Sequence, residues 1–279
     1  METFSAPQLK GSLPKMFEGE VSLEQRDGVA LITLAGLEGR FPWGTSRAEH
    51  RWNPRTVSAL GAALDEVERG DAEAVVVANA GKYWSNGMDL KYLDAQGGSP
   101  EAAALGLRVN QLLARVTTFP LPTVAALGGH WCAAGGMMGL AFDYRVMASD
   151  RGFFFVPGVD LGLVYAPVQV ALMRAKLPQD MHREVIVFNS RRWTGDELAA
   201  RGVVESSVPA AEVTARALEL AASLRPKGRG AARRVLGSIK AAVYKEVLDE
   251  LATGEDMNYG GRTRGVDRAA PPAVQASKL

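Results

Sequence analysis

Gly128-Gly129-His130-Trp131-Cys132-Ala133-Ala134-Gly135-Gly136, with its shorter counterpart Ser85-Asn86-Gly87-Met88-Asp89-Leu90, decides how this chain is read. Each is a small-residue turn that follows an apolar run, residues 74–78 for the shorter and 123–127 for the longer. Such runs read as buried strands, and glycine after them lets the backbone approach whatever binds there. Two turns of this kind can each aim one backbone N–H at a single point, as stabilisation of a developing oxyanion requires. Taken singly, either is also what an ordinary strand-to-helix connection needs.

Outward from the turns the pattern is α/β. Residues 21–25 and 29–34 alternate around Arg26-Asp27-Gly28, a hairpin signal. Asn53 before Pro54 predicts a capped helix start, and Leu60, Ala63, Leu64 and Val67 follow at helical spacing. A helix is expected over 102–116, a small-residue helix near 134–141 and a strand over 143–148. Strand and helix in alternation predict parallel pairing. Beyond Pro167 the chain reads as helical, with a capping box at Thr194-Gly195-Asp196-Glu197. Residues 203–204 read as a strand and 210–224 as a helix. After Pro226-Lys227-Gly228-Arg229-Gly230 a single last helix is expected over 231–252. The domain reading is an arm over 1–18, a core over 19–205, a helical region over 206–255 and a tail over 256–279.

Composition narrows the function classes. Thirty-two basic against 31 acidic residues give a net charge of +1, so no global field favours nucleic acid or a membrane surface. Cys132 is the single cysteine, which leaves no intramolecular disulfide and fits a reducing compartment. His50, His130 and His182 show no metal-ligand spacing, so no metal is expected. From Phe119 to Phe142 the only ionisable side chains are His130 and Cys132, a length able to cross a bilayer. Its prolines and glycines favour a strand, a turn and a buried helix instead. No secretory signal opens the chain. It ends in Ser277-Lys278-Leu279, a receptor-read peroxisomal address, for which an accidental tail is the alternative.

These motifs, in this order and over roughly residues 20–250, resemble the crotonase (enoyl-CoA hydratase/isomerase) superfamily. His50-Arg51-Trp52-Asn53-Pro54 resembles the stretch that opens its first long helix. Ser85-Asn86-Gly87-Met88-Asp89-Leu90 resembles its first glycine turn, Gly129-His130 with Ala133-Ala134-Gly135-Gly136 its second, and Phe142-Asp143-Tyr144-Arg145 the strand that follows. The chain is similar in particular to plant-type peroxisomal Δ3,Δ2-enoyl-CoA isomerases, through Glu49-His50-Arg51 with Asn53-Pro54, the Ser-Asn-Gly turn, Asp150-Arg151-Gly152-Phe153 and the Ser-Lys-Leu ending. The resemblance implies a crotonase-like spiral of β-β-α units with a C-terminal helical trimerisation region. It also implies an oxyanion hole from the amides of Met88 and Ala134. Around that hole it implies a substrate and CoA site formed by Arg51, Ser85, Asn86, Gly87, Asp89, Leu90 and Gly135, with Asp89 reading better as a brace of its turn. Lys82 and Lys91 are further candidates for the CoA phosphates, and Arg233, Arg234, Lys240 and Lys245 for a neighbouring subunit's ligand. Each of these cations also reads as part of a solvated face.

The implied activity moves a 3-enoyl-CoA double bond to the trans-2 position in peroxisomal fatty-acid β-oxidation. CoA enters as part of the substrate and no separate cofactor is expected. The implied partners are the acyl-CoA thioester, the peroxisomal import receptor and further copies in a homotrimer or hexamer. The acid/base positions depart from the family's pattern. A hydratase's two glutamates would fall at Met137 and Gly158, which argues against hydration. An isomerase's glutamate would fall at Gly158 or, in another subgroup, near Ala166. Asp160, expected on the same strand face as residue 158, is a candidate substitute. His130 and Cys132 read better as a turn histidine and a buried thiol than as a nucleophile pair. Two other functions stay open: acyl-CoA binding or oligomer partnership without turnover, and another reaction on the same fold such as thioester hydrolysis.

Overall fold

The structure, a computed structural model, describes residues 14–97, 99–189 and 191–253. Most of the expected arm and the Ser277-Lys278-Leu279 ending lie outside the described residues. Near the start, β1 (Lys15–Phe17), β2 (Val21–Arg26) and β3 (Val29–Leu34) form an antiparallel meander. The end of the expected loosely held arm is thus paired into the sheet at Lys15–Phe17. Glu18 and Gly19 both adopt positive φ, and this tight turn pairs Phe17 with Val21.

Three β-β-α units follow. In each, one strand joins the large sheet, the next joins a small sheet, and helix follows. The first is β4 (Ala74–Asn79), β5 (Tyr83–Ser85), α2 (Leu90–Ala95) and α3 (Pro100–Thr117), reached from β3 through α1 (Pro54–Arg69). The second is β6 (Thr123–Leu127), β7 (His130–Cys132) and α4 (Ala134–Ala141). The third is β8 (Tyr144–Ala148), β9 (Phe154–Phe155), the single turn α5 (Gly158–Leu161) and α6 (Pro167–Lys176). The large sheet runs β1-β2-β3-β4-β6-β8-β10 and the small one β5-β7-β9, with parallel pairing from β3 onward. Residues 119–142 thus form strand, turn and buried helix. No helix of the described residues is long and apolar enough to cross a membrane.

Strand periodicity divides the core. Val75, Val77, Ala125 and Leu127 face the layer that holds α1, α3 and α4, while Val76, Val124, Ala126 and Val146 face Val213, Ala217 and Ala221. Apolar residues on both faces explain why β4 and β6 read as continuous apolar runs. The start of α1 is as expected: Asn53 Oδ1 accepts from Arg55 N and Thr56 N, both at 3.1 Å, with Pro54 in the first turn.

The last third holds α7 (Gly195–Ala200), β10 (Ser206–Val208), α8 (Val213–Leu224), α9 (Gly230–Val243) and α10 (Lys245–Ala252). The Thr194–Glu197 capping box closes α7. Two expectations need correction. The strand lies at Ser206–Val208, not at 203–204, because Arg145 Nε takes the Val203 carbonyl at 2.5 Å and so removes it from any ladder. The single last helix is two, broken at Tyr244. There the Tyr244 hydroxyl accepts from Lys176 Nζ at 2.9 Å, and α10 turns to pack on α6 and α3. β10 and α8, which the expected boundary at 205/206 assigns to the helical region, are bound to the large sheet.

Candidate functional site

The first turn is held by a parallel bridge between Trp52 and Met88. Trp52 N donates to Gly87 O at 2.8 Å, and Asp89 N donates to Trp52 O at 3.1 Å. In a parallel bridge the partner bonds both flanking peptides, so the Met88 N–H points away from Trp52. Asp89 is the brace. Its fully buried carboxylate accepts from Trp43 Nε1 (2.7 Å), Thr45 Oγ1 (2.6 Å), Tyr92 N (3.2 Å) and Asn53 Nδ2 (3.3 Å). Ser85 Oγ donates to His50 O at 2.8 Å, and Asn86 Nδ2 donates to Glu49 Oε2 at 2.9 Å.

The second turn bends at Ala133, which sits at φ 51° and ψ −129°. A non-glycine residue there stores strain on the order of 1–3 kcal/mol. The bend is fixed by Ala133 N donating to Phe155 O at 2.9 Å, and it leaves Ala134 N as the first amide of α4. A helix start favours negative charge. Among the described residues, neither Met88 N nor Ala134 N has an intramolecular acceptor. The two turns meet backbone to backbone. A Cβ on Gly87, whose φ is +77°, would lie 2.8 Å from Ala133 Cβ and 3.3 Å from Ala134 N. One on Gly135 would lie 2.5 Å from Ser85 O. Only glycine allows this approach.

Met88 and Ala134 both line a cavity of about 230 Å³. Its polar side chains are Arg51, Asn86, Cys132, Tyr165 and Gln169, and Leu90, Met137, Leu161, Leu163 and Val164 supply apolar wall. No carboxylate is among its described lining residues. Arg51 reaches the cavity but is engaged: Nε pairs with Glu49 at 2.7 Å, and one terminal nitrogen donates to the carbonyls of Asn86 (3.0 Å) and Met88 (3.2 Å). These bonds tie it to the first turn. Cys132 is buried and its thiol is pushed up to about 12 by that burial, so it stays protonated. His130 packs between the rings of Tyr83 and Phe153, with centroids 5.3 and 5.6 Å away, and does not line the cavity.

The third segment differs from its expected form. Residues 158–161 make a helical turn, not a strand, so Asp160 does not share a face with residue 158. Asp160 is exposed, accepts from Asn189 Nδ2 at 2.6 Å and does not line the cavity. Met137 lies in the cavity wall, while Ala166 is buried at the start of α6. Tyr165, to which the sequence assigns no chemical role, is the residue that stands out here. Its hydroxyl donates to Val156 O and accepts from Gly158 N, both at 2.7 Å. A Cβ on Gly158 would lie 2.3 Å from both Cζ and the hydroxyl oxygen of Tyr165. No sequence spacing signals that contact.

The outlying cations separate. Lys82 and Lys91 are exposed near the turns. Lys240, expected to serve a neighbouring ligand, is instead buried, with its ammonium on Phe119 O (2.9 Å), Leu121 O (2.8 Å) and Asp143 (2.5 Å). Arg233 donates to backbone carbonyls of Glu68 and Gly70, Lys245 pairs with Asp249, and Arg234 is exposed. No group of three or more His, Cys, Asp or Glu among the described residues could hold a metal ion.

Comparison with known proteins identifies the family. The family model described as enoyl-CoA hydratase/isomerase matches residues 48–266. The chain is 30% identical over 239 residues to the peroxisomal enoyl-CoA delta isomerase 2 of Arabidopsis thaliana, covering 82% of this chain and 92% of that one. It is 27% identical over 210 residues to the mitochondrial enoyl-CoA hydratase domain-containing protein 3 of Homo sapiens, covering 72% and 67%. Among solved structures, an enoyl-CoA hydratase/isomerase family protein from Pseudomonas syringae superposes with a TM-score of 0.71 at 27% identity, over 85% of this chain and 95% of the other. A probable enoyl-CoA hydratase from Mycobacterium tuberculosis gives 0.73 at 23% identity, over 84% and 92%, and shares the fold. With its β-β-α spiral and its paired glycine turns, the chain belongs to the enoyl-CoA hydratase/isomerase (crotonase) family.

Proposed function

We propose that this protein binds an acyl-CoA thioester with its carbonyl oxygen on the Met88 and Ala134 amides and shifts a 3-enoyl-CoA double bond to the trans-2 position. The observation that carries the proposal is the convergence of two amides without intramolecular acceptors on one largely apolar cavity. Removing a C2 proton puts charge on the thioester oxygen, and each such amide donor lowers that barrier by about 3–4 kcal/mol. The relatives named enoyl-CoA delta isomerase support an isomerisation. CoA comes and goes with the substrate, and a 1,3-proton shift is redox-neutral, so its stoichiometry calls for no other cofactor. Hydration is disfavoured, because Met137 and Gly158 offer no pair of carboxylates to hold a water.

Two further parts of the proposal rest on separate support. Peroxisomal localisation is supported by the names of two relatives. Assembly into trimers or hexamers is supported by Val235, Ile239 and Val243, an exposed apolar stripe four residues apart along α9.

A second reading, acyl-CoA binding without turnover, is favoured by the missing carboxylate in the cavity lining. Purified protein given 3-hexenoyl-CoA separates the two. Formation of 2-hexenoyl-CoA is the expected result. Tight binding of hexanoyl-CoA with no conversion would overturn the isomerase and leave the binding role. Release of free CoA thiol would point to hydrolysis.

A further inference from the structure

Residue 158 and residue 165 compete for one volume. With glycine at 158, the phenol of Tyr165 fills the space that a side chain there would occupy, 2.3 Å from the missing Cβ. The ring is held on both sides of Pro157, donating to Val156 O and accepting from Gly158 N at 2.7 Å each. It borders the same cavity as the Met88 and Ala134 amides. Among the polar side chains of that lining, Arg51 is committed to Glu49, Asn86 and Gln169 are amides, and Cys132 is a buried thiol. Tyr165 alone combines an exchangeable proton with a main-chain donor already aimed at its oxygen.

We infer that Tyr165 is the proton carrier of this site, with its phenol oxygen working in the volume that glycine at 158 vacates. The inference rests on the proposed isomerisation and names the group that moves its proton. The phenolate takes the proton from C2, and the C–H electron pair passes into a dienolate whose oxygen rests on the two amides. The phenol then returns a proton at C4. The electrons shift to form the C2–C3 double bond, the carbonyl is restored and the phenolate is regenerated. No oxidant, water or second base enters.

The surroundings set how this carrier behaves. Burial raises the phenol above the ordinary tyrosine range, the Gly158 N–H opposes that shift, and Asp160 adds to it. Arg51 and Cys132 border the same cavity, the first already paired and the second protonated. The phenol is thus neutral at rest, and the reactive phenolate gains about tenfold per pH unit between pH 7 and 9. A carboxylate carrier would already be fully ionised there and give a flat profile.

The test compares the unmodified chain with Tyr165→Phe, which keeps the ring and removes the oxygen. Three readouts are taken from pH 7 to 9: conversion of 3-hexenoyl-CoA, exchange of the C2 protons of hexanoyl-CoA in D2O, and hexanoyl-CoA binding by calorimetry. The expected result is conversion and exchange that both rise about tenfold per pH unit, fall at least about 100-fold in Tyr165→Phe, and leave affinity within about threefold. Conversion unchanged in Tyr165→Phe, or flat with pH, overturns the assignment and leaves the isomerase reading standing. Exchange that depends on Tyr165 without conversion of 3-hexenoyl-CoA sinks the isomerase reading and supports the carrier. Binding with neither exchange nor conversion in the unmodified chain overturns both.

Discussion

Behind the cavity wall, at Gly87 and Gly135, main chain lies against main chain. Along residues 153–165 the wall is built by a side chain, Tyr165, that fills the space beside Gly158. The first arrangement tolerates no added atom, since a Cβ at either glycine would come within 2.8 Å of its neighbours. In the second, a Cβ on Gly158 would meet the far end of a side chain, which can move. The proposed oxyanion amides are thus fixed by the fold itself, whereas the proposed proton carrier is a side chain that substitution can exchange.

Substitution on the two sides should separate these behaviours. The largest effect is expected from Gly135→Val, whose Cβ would lie 2.5 Å from Ser85 O. Hexanoyl-CoA binding should be lost and the urea midpoint should fall by the equivalent of about 3 kcal/mol. A folded variant that still binds would break the comparison at its firmer end. Gly158→Glu comes next. Alone it should destabilise by about 1–3 kcal/mol and give no new activity, because the Tyr165 ring stands in the way. Combined with Tyr165→Ala it should recover stability and convert 3-hexenoyl-CoA with a flat profile above pH 6. If the single variant is as stable as the parent, the two positions do not compete.

Stability should also depend on pH through Lys176. Burial brings the Lys176 ammonium down to about 7. The unfolded chain binds the extra proton between that value and the ordinary lysine range near 10.5. Stability should therefore rise with pH across this window, by at most about 1.4 kcal/mol per unit, and the penalty should be complete below pH 7. Urea midpoints of the parent and Lys176→Met, measured from pH 6 to 9, should converge or cross in that direction. A parent midpoint that falls with pH would contradict the burial of this amine. The smallest effect is expected at Asp160→Asn. Its partner Asn189 lies outside the cavity, and conversion should stay within about twofold. A loss of 100-fold would return the proton to Asp160.

Much of this architecture is legible in the chain because its causes are local. Asn53-Pro54 announces α1, the Thr194–Glu197 box announces α7, and continuous apolar runs announce strands buried on both faces. The glycine turns are legible because close backbone approach has one chemical solution. What escaped notice depends on contacts made across the chain. Tyr244 ends α9 beside Lys176, 68 residues away in sequence, and Lys240 is buried by Asp143, 97 residues away. Neither leaves a trace in helical periodicity. Reading residues 158–160 as extended put Asp160 into the site, and one helical turn takes it out. Tyr165 stands seven positions from Gly158 and is joined to it only by folding.

The shared volume of Gly158 and Tyr165 also makes the two positions a single unit. A side chain at 158 fits only where the phenol is displaced or absent, and the phenol keeps its present place only while residue 158 carries no Cβ. What either position can hold is therefore decided by the other.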